Sequence, residues 1–284
     1  MDCRLYQESM RLLAVLVFII SGALVGYAQQ GESYETLLDS AMNASAASHL
    51  EDAELMYKEV LKKDPTNKGN SLVWGNLGSV QQRLNKLDDA LQSYTMALNL
   101  EPGLVRVLEQ RALIYQDKKD YGRAMLDYSA VIDKDPTNEI ALINRAYLRM
   151  EKNMLNEARL DFESLLSHYP MHRQGELGLA ILSQKQERYK EAADRFAMLI
   201  DRYPNDATLY EARGNMERES KQYELALLDY EEAGRISNDP LYNVMQAMVY
   251  LDQKKKKTAR VMIDRAAKAG MARSLLQEFY DMCK

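Results

Sequence analysis

Cysteine and histidine are scarce in this 284-residue chain, which holds two of the first and three of the second. A disulfide framework or a Cys/His zinc site needs more ligands than that, so neither carries the fold. Thirteen glycines and six prolines exclude collagen-like and low-complexity material. A basic excess is missing too. Lys and Arg number 37 against 42 Asp and Glu, a net charge of −5, which argues against a dedicated nucleic-acid binder. With 28% charged and 46% hydrophobic residues, the chain fits neither a disordered polymer nor a multi-span membrane protein. No glycine-rich phosphate loop and no serine nucleophile elbow occur, so the sequence offers no enzyme signature.

One long hydrophobic run is present. Residues 12–28 are nearly all apolar and follow Arg4 and Arg11, and small Gly26 and Ala28 stand at −3 and −1 of a cut before Gln29. That is the plan of a secretory signal peptide over 1–28. The alternative is an uncleaved membrane anchor, because the run reaches the short end of the spanning range of about 17–25 residues. Cys3 precedes the run, so it is not placed for lipidation. The mature chain is expected to be exported, periplasmic or envelope-associated, with a short disordered lead over 29–33.

Self-comparison then dominates the reading. Pro65, Pro102, Pro136, Pro170 and Pro204 fall at spacings of 37, 34, 34 and 34, with Pro240 36 residues further on. A small-residue series runs Ala53, Ala90, Ala124, Ala158, Ala192, Ala226, Ala259, and four residues after each comes Tyr57, Tyr94, Tyr128, Phe162, Phe196, Tyr230, Ile263. Upstream lies a second small series, Ala41, Gly78, Ala112, Ala146, Ala180, Gly214, Ala247. Seven units therefore begin near 34, 71, 105, 139, 173, 207 and 240 and end near 270. Small residues let two antiparallel helices approach closely, and the aromatic one turn later fills the space beside that contact. The turn proline ends each second helix.

This unit resembles the tetratricopeptide repeat of exported bacterial proteins. The second copy matches best, with Trp74, Leu77, Gly78, Ala90, Tyr94 and Pro102 at the family spacing and Gln81 replacing the usual Tyr. The first unit has three extra residues after Pro65, the fifth carries Glu176 at a large apolar position, and the seventh departs at Asn243, Lys256 and Ile263. The resemblance implies an all-α, right-handed solenoid of about seven helical hairpins. A C-terminal helix over 271–284 would cap it, with Leu275, Leu276, Phe279 and Met282 over the last open face. The methionines are expected to fill the core.

Comparing the units with one another adds one expectation. Arg111, Arg145 and Arg213 share one repeat position, and Asp127, Asp161 and Asp229 share another. The other four units lack both, so the two side chains should meet as a bidentate pair between the helices of a hairpin, rather than form a ligand clamp. Elsewhere little chemistry emerges. His49 falls at a turn, and Pro170 breaks the helix that would align His168 with His172, so no metal site is expected. Cys283 lies in the penultimate position, without a positioned base. Lys254–Lys257 reads as a solvated turn, with weak, salt-dependent attraction to anionic lipid or nucleic acid as the sharper reading.

What remains is the concave surface. In the family, the first helices line a groove that binds extended partners, and the resemblance places there Asn76, Ser79, Gln82 and Arg83, then Arg106, Glu109, Gln110 and Gln116. From later units come Asn144, Tyr147, Asn215 and Arg218. Amides can hydrogen-bond an extended backbone and Arg can take a carboxylate. The lysines of the family's carboxylate-binding variant are missing. The expected function is a non-catalytic adaptor of the cell envelope that binds a protein or peptide in this groove. It needs no cofactor, metal or nucleic acid and makes at most peripheral membrane contact. The alternative is a structural subunit of an envelope assembly that docks by its edges or convex face.

Overall fold

The computed structural model describes residues 32–284, so the expected signal segment and residues 29–31 of the lead lie outside the described residues. Those described form fifteen α-helices and no strand. They divide into two compact units, residues 32–130 and 131–284. The first holds α1 (Tyr34–Ala46), α2 (Leu50–Lys63), α3 (Asn70–Arg83), α4 (Leu87–Leu100), α5 (Val105–Asp117) and most of α6 (Tyr121–Lys134). The second holds α7 (Glu139–Glu151), α8 (Leu155–His168), α9 (Arg173–Lys185), α10 (Tyr189–Arg202), α11 (Ala207–Glu219), α12 (Tyr223–Ser237), α13 (Leu241–Asp252), α14 (Lys256–Lys268) and α15 (Arg273–Met282). Within each unit the helices pair into hairpins, and consecutive hairpins pack on one another, the all-α solenoid stacking that the repeat requires.

The small-residue series explain the pairing. Every alanine in both series is fully buried, as are Gly78 and Gly214. The aromatic series follows, with Tyr57, Tyr94, Tyr128, Phe162, Phe196 and Tyr230 each at most 2% exposed. Burying a side chain of that size contributes about 1.5–3 kcal/mol, so this one position per repeat is a main source of core stability. The fit is tight at the glycines, since a Cβ on Gly78 would lie 2.6 Å from the Tyr94 ring.

Turn chemistry sets the helix ends. The second helices stop two residues before the proline rather than at it, because the residue preceding a proline is pushed out of the helical region. Asp64, Glu101, Tyr169 and Tyr203 show this, with φ near −130° to −140° and positive ψ. In Asp135-Pro-Thr-Asn, Asp135 Oδ1 accepts from the Thr137 amide at 3.0 Å, and Asn138 caps α7 through the Ala141 amide at 2.8 Å. Inside each hairpin the chain reverses through a residue in the left-handed region. Ser48, Asn85, Lys119, Asn153, Glu187, Lys221 and Lys254 have φ between 58° and 64°, and none is glycine.

Two expectations are corrected. Of the residues meant to close the C-terminal face, Leu276 is fully buried and Phe279 packs beside it, but Leu275 and Met282 stay 68% and 50% exposed. The α15 helix turns only one narrow stripe inward, and those two fall outside it. The methionines are not mainly core. Met150, Met216 and Met262 are buried, whereas Met42, Met96, Met154, Met171, Met198 and Met282 are exposed. The alanine and aromatic series already fill much of the interior, so six of the fourteen described methionines are exposed and only three are buried.

Candidate functional site

The Arg–Asp pairs form as bidentate bridges. Arg111 donates to the two carboxylate oxygens of Asp127 at 2.9 and 2.7 Å. Arg145 does the same to Asp161 at 3.1 and 2.7 Å, and Arg213 to Asp229 at 2.7 and 2.7 Å. The three aspartates are at most 5% exposed, so these bridges fix hairpin geometry and are not open to a ligand. Repeat five reverses the polarity. There Arg195 stands at the Asp position, within 3.6 Å of Glu176, which accounts for that acid at an apolar site.

The groove candidates divide between free and engaged side chains. In the first unit, α3 and α5 bring Asn76, Ser79, Arg106 and Gln110 together around two adjoining cavities of about 370 and 190 Å³, which share Asn76, Ser79 and Arg106. Leu72, Leu104 and Val107 supply apolar wall to the smaller one. Arg106 is exposed and has no carboxylate within ion-pair distance among the described residues. Arg83, at the rim, donates to the Ser45 carbonyl at 3.0 Å and the Ser48 hydroxyl at 3.1 Å. Gln82 accepts from the Tyr94 hydroxyl at 2.8 Å, and burial pushes that hydroxyl well above the usual tyrosine range.

In the second unit the candidates do not converge. Asn144 donates to the Ile140 carbonyl of its own helix at 2.9 Å. Tyr147 packs edge-to-face on Phe162 with ring centroids 5.4 Å apart. Asn215 accepts from the Tyr230 hydroxyl at 2.8 Å, and Arg218 is spent on both oxygens of Asp252 at 2.5 and 3.2 Å. The last bridge joins residues 34 apart, one repeat length. Arg173 with Asp206 and Arg159 with Glu191 link neighbouring repeats in the same way, and Lys86 does so with Glu54 in the first unit. Burial alone would raise Glu54, but hydrogen bonds from Lys58, Lys86 and Gln81 hold it down to about 2.

Glu217 escaped the sequence reading. It is 7% exposed and its Oε2 has no hydrogen-bond partner. Burial and the neighbouring Asp229 carboxylate, only partly offset by Arg213, raise it to about 7. The signal was available, since the same repeat position elsewhere holds Ala44, Gln81, Tyr115, Arg149, Ser183 and Tyr250.

Of the singled-out histidines, His172 has a structural role. His172 caps α9, its Nδ1 accepting from the Gly175 amide at 3.3 Å, while Nε2 faces Glu139 at 3.2 Å. Among the described residues no group of three or more His, Cys, Asp or Glu is placed to hold a metal ion. No described helix is long and apolar enough to cross a membrane.

Comparison with known proteins agrees with this geometry. A family profile described as tetratricopeptide repeat matches residues 177–240. The chain is 38% identical over 74 residues to the human DnaJ homolog subfamily C member 7, a match covering 26% of this chain and only 15% of that protein. A crystal structure of a tetratricopeptide repeat protein from Parabacteroides merdae superposes with a TM-score of 0.72 at 28% identity, over 89% of this chain and 99% of that one. Pseudomonas aeruginosa pilF shares the fold, with a TM-score of 0.54 at 15% identity, over 74% of this chain and 96% of that one.

Proposed function

Because the chain is a protein of tetratricopeptide repeats, we propose that it is a non-catalytic scaffold of the cell envelope, holding an extended segment of a partner protein in the groove of its first unit. Export through the apolar segment 12–28 belongs to this reading. The observation that carries it is the grouping of Asn76, Ser79, Arg106 and Gln110 around adjoining cavities, with Arg106 unpaired. The two amides can read a peptide backbone, Arg106 can take an acidic group, and Leu72 and Leu104 can receive an apolar side chain.

A second reading, a structural subunit docking by its outer helices, draws on a different observation. Leu55, Leu126, Leu160 and Leu228 occupy one position of four repeats and are 61–70% exposed. Exposed leucines at a fixed register suit a large permanent interface.

The test is crosslinked capture from envelope extract with the full chain and an Arg106→Glu version. Loss of the captured protein with helicity unchanged supports the groove. Equal capture by both versions contradicts it and leaves the outer helices. Arg218→Glu is unsuited to this comparison, because it breaks the bridge to Asp252.

A further inference from the structure

The seventh hairpin lacks the Arg–Asp pair of repeats three, four and six, carrying Gln246 and Met262 at those positions. It also carries Asn243 where repeats two, three and four have Trp74, Leu108 and Leu142. Asn243, Gln246 and Met262 all line one cavity of about 320 Å³ within the second unit, walled by Tyr230, Tyr242 and Tyr250 and bordered by Arg265. At position 243 a short amide has replaced the large apolar side chain of those repeats, and the hairpin has not closed over the space.

The Tyr230 and Tyr242 hydroxyls of this cavity are engaged, by Asn215 and Glu211, but two of its amide side chains are not. The side chains of Asn243 and Gln246 make no hydrogen bond to any described residue, although both are half-buried. Arg265 touches only the Met262 sulfur, at 3.7 Å, and forms no ion pair. Most arginines of repeats three to six sit in ion pairs, so an unpaired guanidinium here is a departure. The half-buried amides of Asn243 and Gln246 are costly without partners unless water or a ligand satisfies them, whereas exposed Arg265 stands in solvent at the cavity border.

We propose that this cavity is a binding site for a carboxylate borne on an aromatic or aliphatic body, with Arg265 taking the carboxylate, Asn243 and Gln246 completing its hydrogen bonds, and the tyrosines receiving the body. The guanidinium fork matches a carboxylate in two parallel bonds. A phosphate dianion fits worse, because the acids Glu231 and Asp239 also border the cavity. The surroundings favour a monoanion. Residues 254–284 carry nine Lys and Arg against Asp264, Glu278 and Asp281, a net of +6 in a chain of −5. The volume lies at the low end of small-ligand sites, about 300–1,000 Å³. The carboxylate could come from a free acid or from the C-terminus of a peptide.

The experiment is isothermal titration of the full chain with phenylacetate, N-acetylphenylalanine and N-acetylphenylalaninamide. Both acids should bind with dissociation constants on the order of 1 mM, and the amide at least tenfold more weakly. Tighter binding of phenylacetate marks a free-acid site, and tighter binding of N-acetylphenylalanine marks a peptide terminus. Arg265→Gln should weaken both acids at least tenfold. Asn243→Leu/Gln246→Leu installs the residues that other repeats carry, Leu108 and Leu142 at one position and Leu77 and Leu179 at the other. It should fill the cavity and abolish binding without lowering the melting temperature. If that double variant fails to fold, Arg265→Gln decides alone, since its side chain is exposed. Equal binding of acid and amide, no heat at 20-fold the expected constant, or an unaffected Arg265→Gln would overturn the proposal.

Discussion

Arg111 and Asp127, sixteen residues apart, meet across the third hairpin through two parallel hydrogen bonds of 2.9 and 2.7 Å. Asp127 is 5% exposed, so removing its partner strands a buried charge. Arg111→Leu or Asp127→Ser alone should each cost about 3 kcal/mol in urea unfolding. The double variant copies the Leu77–Ser93 combination of repeat two and should cost much less than the sum. Additive losses would show that the pair contributes nothing as a pair.

Glu217 and Glu54 should respond to pH in opposite senses. Glu217 has a folded value of about 7 against 4.5 for the free side chain. Its stabilising effect is therefore complete below about pH 4.5 and lost as pH rises through 7. Glu54, held near 2, stabilises above about pH 4.5 and loses that effect as pH falls toward 2. Glu217→Gln should accordingly gain stability over wild type between pH 5 and pH 8, on the order of 2 kcal/mol. Paired urea titrations check this, and a gap that does not change with pH would refute it.

Glu187 reverses the fifth hairpin at φ 58°, a conformation that costs a residue with a side chain about 1–2 kcal/mol. Glycine removes that cost but has more freedom to lose on folding, so Glu187→Gly should raise stability by about 0.5–1 kcal/mol. Thermal unfolding reports the sign directly, and a lower melting temperature would contradict it.

Gly178 is a packing glycine. An added Cβ would lie 2.3 Å from the Phe162 ring, so Gly178→Ala should cost about 1–3 kcal/mol as the ring is forced aside. Gly122, exposed near the start of α6, meets nothing closer than 3.9 Å, and Gly122→Ala should be neutral or stabilising by about 0.5 kcal/mol. Denaturant midpoints of the two variants separate these outcomes.

Legibility in the sequence followed physical cause. Close helix packing admits only small residues, so Ala53, Ala90 and their series were visible as a period. The Arg–Asp bridges were visible because both partners appear and vanish together among the repeats. The hairpin reversals were not, since Ser48, Lys119 and Glu187 carry no glycine to announce a left-handed residue. A helical apolar period does not say which face an individual methionine takes, hence the exposed Met96 and Met198. The groove was half legible. Asn76, Arg106 and Gln110 converge, but Arg218 is held by Asp252 one repeat away, and Asn215 by Tyr230 across its own hairpin. A search for opposite charges 32–34 residues apart would have found Arg218–Asp252 and Lys86–Glu54.

Site-specific photocrosslinking separates the groove from the outer helices most directly. A photoreactive amino acid placed at Asn76, at Gln110 and, for contrast, at the 70% exposed Leu126 samples both faces of the first unit. A partner held in the groove should crosslink from Asn76 and Gln110 and not from Leu126. Crosslinks from Leu126 alone would contradict groove binding and establish the outer helices as the docking face.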